Sequence, residues 1–352
     1  MKRIRKIILS LLLVIAVLVS AICFYAYNSL KPASNSGSST FFVIENGSVA
    51  KDVISNLADN GIIKDGTIGY LYARIARNAD FKAGSFDVPG GLSTSDVFAY
   101  LSDSNNIIQD TVSITFIEGD WLKDFAKKLS NNTNLSYEEL MNYWKDEQVL
   151  NDLISKYDFL TDEILADNIR YPLEGYFFPD TYEFFRTTTP EAVTRKMLDN
   201  TNSIYAKYLA QFTSSNMSFH QILTLASIVQ YEGVKLEDMK GIASVFYNRL
   251  AIGMKLQSSV TVCYSLDLSE DDNWTKCEFN NDYDSPYNTY LHEGLTPGPI
   301  VSPGENAIRA VLEPDNTDYY YFIGDVCGDG SVHFAKTFEE HNQNIKEYLW
   351  CY

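Results

Sequence analysis

The chain has 352 residues, enough for two or three domains and a sizeable core. Its 28 basic against 46 acidic side chains leave a net charge of −18, a sign that excludes the phosphate backbone of nucleic acid as the partner. Hydrophobic residues at 45% and charged residues at 21% describe a folded globular body, and 24 Tyr with 20 Phe supply rings that serve a core or stack on sugar faces. The charge is uneven: residues 1–31 hold five basic groups (Lys2, Arg3, Arg5, Lys6, Lys31) and no acid, so the remainder stands at −23.

Residues 1–6 form a basic stub, and Ile7 to Tyr27 follow as 21 residues without a charge. That length crosses the hydrocarbon core of a bilayer as a helix. The KRIRK cluster ahead of it predicts a cytoplasmic N-terminus and an extracytoplasmic body. A cleaved signal needs a shorter apolar core and a small-residue cleavage site. A lipoprotein needs a small residue before Cys23, where Ile22 stands. The pattern therefore predicts a single-pass anchor. Residues 28–40 (NSLKPASNSGSST) are polar and Ser-rich and read as a flexible tether.

Three segments then share the spacing G-x4-D-x4-L: Gly47, Asp52, Leu57; Gly91, Asp96, Leu101; and Gly119, Asp124, Leu129. The first and third follow β-like runs (FFVIEN, SITFIE), and the glycine turns the chain out of the strand. Helical spacing follows, as in Val49, Val53, Ile54 and Leu57, and Ser93 with Asp96 has capping-box spacing. These are strand–turn–helix units, expected to form a small module over 41–105, the third copy opening a larger domain over 106–352. Residues 131–170 read as a polar helical link.

Ser218 and Gln221 predict the start of a further helix. Its apolar residues (Ile222, Leu223, Leu225, Ala226, Ile228, Val229) cover most of the circumference, so it is expected to be buried. It ends at Glu232, followed at once by Gly233. A carboxyl there is partly desolvated and meets the negative end of the helix dipole, and both effects raise its pKa. A glutamic acid kept protonated near neutral pH is what glycosidic cleavage needs as a general acid. A solvated glutamate at a helix end is the alternative that spacing alone leaves open. A second amphipathic helix runs through Met239, Ile242, Ala243, Phe246 and Leu250.

Beyond the span, Cys263, Cys277, Cys327 and Cys351 allow three disulfide connectivities or free thiols. Cys263 and Cys277 flank an acidic stretch (DLSEDDNWTKC ends on Cys277) that a disulfide would staple. No zinc spacing is present and the four histidines (220, 292, 333, 341) are scattered, so neither metal nor cofactor is expected.

The ordered segments LEGYFFPDTYEF (173–184), LASIVQYEG, IASVFYNRL, LQSSVTV, SPYNTYLHEGLTPGPIVSPGENAI (285–308) and HFAKTFEEHN (333–342) resemble the YceG-like family of endolytic murein transglycosylases. The resemblance covers about residues 41–350. It implies an α+β fold with one N-terminal transmembrane helix, a small LysM-like βα module and a larger mixed α/β catalytic domain. It also implies that Glu232 is the catalytic acid/base. Cleavage of the MurNAc–GlcNAc bond would leave 1,6-anhydro-MurNAc ends, peptidoglycan glycan strands being the substrate and wall synthases (penicillin-binding proteins) the partners. Substrate-binding residues are expected among Glu174, Tyr176, Asp180, Tyr182, Asn248, Gln257, Ser258, Tyr287, Asn288 and Tyr290. Turn formation accounts equally for the Pro179 loop, and Asn248 and Arg249 read either as substrate contacts or as caps on carbonyls. Two departures stand out: Gln230 occupies a position where family members often carry a second glutamate, and Ser259 one where an aspartate is common. Two rival classes remain open, a muramidase with water as acceptor and a wall-binding scaffold without catalysis.

Overall fold

The computed structural model describes residues 2–33, 37, 39–45, 47–108, 111–268, 275–325 and 328–349, with side chains from residue 12 onward. The apolar run is helical as expected. Helix α1 (Lys2–Ser29) starts within the basic stub and continues two residues past Tyr27. Its stretch Leu12–Ser29 has a mean hydropathy of 2.0, and only 6% of it is buried among the described residues. Strand β1 (Ser39–Ile44) begins within the Ser-rich segment, so the irregular connection is shorter than the tether expected over 28–40. The backbone of Leu30 is already fastened, its carbonyl accepting from Thr94 N at 3.0 Å.

The chain divides into two units, Met1–Val112 with Glu183–Val193, and Ser113–Tyr182 with Thr194–Tyr352. In the first, β1 is followed by α2 (Ala50–Asp59), α3 (Gly66–Ala76), β2 (Gly84–Pro89) and α4 (Thr94–Ser102). The strands pair antiparallel, from Ser39 opposite Pro89 to Ile44 opposite Gly84. Phe42, Ile44, Ile54, Leu57, Phe86, Val88, Phe98 and Leu101 close a common core between the ribbon and the helices. A hydrophobic face on each element forces this arrangement, since neither a two-stranded ribbon nor a ten-residue helix is stable alone in water.

Strand β3 (Thr111–Thr115) pairs with β4 (Thr181–Phe185). The division between the units falls within this ribbon, later than residue 105 and with a returning segment, because β4 lies some seventy residues along the chain from β3. The repeat is realised in all three copies: Gly47, Gly91 and Gly119 follow β1, β2 and β3 with φ of 86°, 83° and 91° and precede α2, α4 and α5 (Leu122–Asn132). Such φ values belong to glycine, which has no Cβ to clash there.

Residues 131–170, expected as a link, instead belong to the second unit: after the end of α5 come α6 (Tyr137–Tyr143), α7 (Glu147–Lys156) and a 3-10 turn at Asp162–Leu165. Leu140, Trp144, Leu150 and Leu153 are buried, which a polar spacer would not do. Then follow α8 (Pro190–Lys207), α9 (Leu209–Ser214), α10 (Phe219–Glu232), α11 (Leu236–Ala251), α12 (Ser259–Ser265), α13 (Thr275–Glu278), α14 (Glu305–Leu312), β5 (Tyr321–Gly324), β6 (Val332–Ala335) and α15 (Phe338–Tyr348). Helix α10 opens with the expected capping box: Gln221 N donates to Ser218 Oγ at 3.2 Å and Ser218 N to Gln221 Oε1 at 3.0 Å. Every residue from Ile222 to Val229 is buried, and α10 packs on both α11 and α14.

Cys263 on α12 and Cys277 on α13 form a disulfide with Cα atoms 5.0 Å apart, packed with Val262, Leu266, Leu268 and Tyr290. Cys327 and Cys351 lie outside the described residues. A cross-link closing 14 residues restricts the unfolded chain by about 3 kcal/mol. Replacing both cysteines with alanine is therefore expected to lower unfolding free energy by that order, read from thermal melts of the oxidised protein and the double variant. Equal melting temperatures would contradict it.

Candidate active site around Glu232

Three successive side chains at the end of α10 grip three different segments. Gln230 accepts from Gly304 N at 2.8 Å through its carbonyl and donates to Glu118 Oε2 at 3.5 Å through its amide nitrogen. A glutamate at 230 offers no donor and would set carboxylate against carboxylate, so glutamine suits this position. Tyr231 accepts from Trp121 Nε1 at 3.1 Å and donates to the carbonyl of Gly119 at 3.3 Å. Glu232, the last helical residue, turns its carboxyl toward the start of α12, where Ser258 Oγ donates to Oε1 at 2.5 Å. Gly233 leaves the helix in extended conformation, where an added Cβ would lie 3.0 Å from both Met239 and Ile242, so any larger residue in this packed turn would have to displace their side chains.

Ser258 is itself held on several sides. Its N–H donates to Thr289 Oγ1 at 3.0 Å, its carbonyl accepts from Thr261 Oγ1 at 2.7 Å, and the two threonine hydroxyls lie 2.9 Å apart. All three residues are buried. Gln257 enters this turn with φ of 50°, an unusual conformation for a residue with a side chain, and its N–H is fixed to Thr289 O at 3.2 Å. The hydroxyl is thus presented to the carboxyl by a rigid frame.

The electrostatics set two influences against each other. Burial pushes the Glu232 carboxyl above the ordinary glutamate range, while the Ser258 hydrogen bond and the positive charge of Arg249 pull it back. Arg249 is buried, donating from Nε to Tyr320 O at 2.7 Å and from a terminal nitrogen to Leu256 O at 2.5 Å. The Tyr290 hydroxyl is pushed up by its own burial and then by the Glu232 charge. Glu232 keeps partial exposure, so its carboxyl, raised in pKa by burial, is open to solvent.

Of the other residues expected in the site, Ser258 bonds to Glu232, Tyr290 feels its charge, and the Gln257 side chain is exposed beside Ser258. Direct substrate contact does not fit most of the remainder, because their polar atoms are buried and already bonded. Tyr176 is fully buried with its hydroxyl 2.8 Å from His220 Nδ1. Tyr182 donates to Phe178 O at 2.6 Å, and the Tyr287 hydroxyl accepts from Arg170 N at 3.2 Å. Asn288 donates to the carbonyls of Asn281 and Tyr283 and accepts from Tyr290 N, which shapes the loop carrying Tyr290. Asn248 donates to Thr317 O and Tyr319 O, so of the two readings it takes that of a cap on carbonyls. Asp180 is the exception, an exposed carboxylate that accepts from Thr181 N and from Asn200.

Glu174 is a special case. It is completely buried, with Oε1 accepting from Leu122 N at 2.7 Å at the first turn of α5 and Oε2 bonded to Tyr264 OH at 3.1 Å. Burial raises its pKa to about 8 against the pull of those bonds. It joins α5 to α12 and has no open approach. Sequence reasoning did not single out Thr261 or Thr289, the latter between two residues that it did select; Arg249, read as a substrate contact or a cap on carbonyls, donates to two carbonyls and also lends its charge to the acid.

A separate cavity of about 820 Å³ lies at the opposite end of α10, lined by His220, Gln221, Thr224, Tyr247, Leu250 and Pro297 among others, and includes none of these site residues. Among the described residues no cluster of three His, Cys, Asp or Glu side chains is placed to hold a metal ion.

A model of the YceG-like family matches residues 42–347. An endolytic murein transglycosylase of Bacillus subtilis (strain 168) is 33% identical over 92% of this chain and 89% of its own length. One of Streptococcus pneumoniae D39 is 32% identical over 92% of this chain, which spans 61% of that relative. A crystal structure of a YceG-like protein from Listeria monocytogenes superposes with a TM-score of 0.61 at 31% identity, covering 88% of this chain and 99% of that one.

Two outcomes follow from the hydrogen bonds. Ser258→Ala removes a donor that favours the carboxylate, so the Glu232 pKa is expected to rise further, measured by carbon-13 NMR of labelled glutamate; an unchanged titration contradicts the assignment. For Glu174 the folded pKa lies above the unfolded value, so its contribution to stability is complete below about 4.5 and is lost as pH rises through about 8. Glu174→Gln is expected to flatten the decline in stability across that window in urea titrations, whereas an unaltered slope would show that another group causes it.

Proposed function

Since this chain belongs to the YceG-like family, we propose that it is an endolytic lytic transglycosylase of peptidoglycan, with Glu232 as its single acid/base. The observation that carries this is the Glu232 carboxyl, raised in pKa by burial, reachable from solvent, and oriented by Ser258. Ser258 occupies Oε1, so the proton of the neutral acid resides on Oε2 and is donated from there. Glu232 protonates the departing glycosidic oxygen as the bond to the muramoyl C1 breaks. The resulting carboxylate takes the proton of the sugar's own C6 hydroxyl while O6 bonds to C1, closing a 1,6-anhydro ring. One carboxylate serves both steps, unlike the two of ordinary glycosidases. A nucleophile within the substrate gives the reaction its effective concentration, and no water is consumed.

The remaining assignments extend the same reading. Helix α1 anchors the protein with its basic end in the cytoplasm, and the catalytic unit works outside on newly made strands, beside wall synthases. The strand–helix–helix–strand order of the first unit, with its antiparallel ribbon, supports a LysM-like module that holds glycan.

Glu232→Gln keeps shape and removes the acid. Turnover of purified glycan strands is expected to fall by about 10²–10⁴-fold with folding intact. The wild-type product should be one water lighter than a hydrolytic product by mass spectrometry. Full activity in the variant refutes Glu232, and reducing ends in the product refute the transglycosylase in favour of a muramidase.

A further inference from the structure

Helix α3 buries Gly69 and Ala73 against its own unit and turns an unlike face outward. On that face Leu71 is 49% and Ile75 83% exposed, one helical turn apart. They are bracketed by exposed cations: Lys64 just before the helix, Arg74 within it, and Arg77 at the left-handed C-cap. Among the described residues neither arginine pairs with an acid. The nearest acid in sequence, Asp65, caps α3 by accepting from Ile68 N at 3.0 Å. This is a basic, apolar patch in a chain whose net charge is −18.

Its position is fixed relative to α1. The Tyr25 hydroxyl donates to Asp65 Oδ2 at 2.8 Å, Lys64 Nζ donates to Asn28 O at 3.5 Å, and Thr94 N donates to Leu30 O. Three bonds therefore hold the start of α3 and α4 against the last turn of the apolar helix. That turn carries exposed Tyr25 and Tyr27, with Lys31 over the Tyr27 ring at 4.6 Å, an aromatic and basic girdle of the kind found at headgroup level. The headgroup zone is about 5–8 Å deep on each side, so a helix pinned there begins within it.

We propose that the outer face of α3 is a second membrane contact: Leu71 and Ile75 enter the boundary between headgroups and acyl chains, and Lys64, Arg74 and Arg77 bind anionic headgroup phosphates. The inference rests on α1 being a membrane anchor. Continuity with that anchor and the reversed sign of charge select a lipid surface; the exposed side chains of the face are aliphatic and cationic, while Tyr70 and Tyr72 pack against the core of the unit. An interfacial helix of this kind needs exposed apolar residues flanked by cations, and both are present. Anchor and α3 together would hold the first unit at two points and stop it swivelling about a single helix.

The test uses the full chain in nanodiscs of phosphatidylglycerol or phosphatidylcholine, with the photo-crosslinker benzoylphenylalanine replacing Ile75 in one sample and Phe24, within α1, in another. Lipid adducts are expected at both positions, those at 75 favouring phosphatidylglycerol. With Arg74→Glu and Arg77→Glu added, adducts at 75 should fall by about tenfold or more, as two charge reversals near an anionic surface require. Adducts at 24 with none at 75, or protein adducts at 75 in their place, overturn the proposal and leave the anchor standing. No lipid adduct at 24 overturns the anchor itself. Equal yields at 75 in both lipids overturn the recognition of anionic headgroups.

Discussion

A carboxyl group at the C-terminal end of a buried helix stands where the backbone carbonyls already point their negative ends. Desolvation and dipole both oppose ionisation of Glu232, and the hydrogen bond from Ser258 partly offsets them. That balance of burial against one hydroxyl and one buried guanidinium underlies the chemistry proposed for the site. Removing Ser258 takes away a donor that favours the carboxylate, and removing burial takes away the penalty that opposes it.

Much of the second unit can be read as support for that balance. Gln230 and Tyr231 fasten the helix end to the Gly304 and Trp121 segments, which fixes the backbone that carries the carboxyl. Behind Ser258, the hydroxyls of Thr261 and Thr289 satisfy one another in a buried network, which makes the position of the donor rigid. Glu174 and the disulfide tie α12 to α5 and to α13 through Tyr264 and Cys263, so the helix that follows Ser258 is held at its far end. Each tie uses polar groups that cannot then contact a substrate, which explains why residues such as Tyr176 and Asn288 occur in the motifs yet lie beneath the surface.

The first unit shows the same economy on a smaller scale. A ribbon of two strands and three short helices closes a core that none of them could form alone. Fastening α1 to α3 and α4 converts a simple tether into a defined junction, and the outward face of α3 gains its meaning from that junction.

Periodicity and capping residues alone determined a good deal here. The charge-free run fixed α1, the Ser218–Gln221 pair fixed the start of α10, the glycine spacing fixed three strand-to-helix turns, and the uniform apolar character of Ile222–Val229 fixed the burial of the helix that ends in Glu232. These are local consequences of hydrogen-bond geometry and of which side chains avoid water, so they are written within a few residues. Only the tertiary structure decided which polar side chains face the carboxyl, because Ser258, Thr289 and Arg249 reach it or its frame from separate parts of the chain. The same limit hid the division of the chain into units, since β3 finds β4 far along the sequence. Whether a tyrosine or an asparagine touches a ligand or a carbonyl depends on what stands opposite it, and no spacing records that.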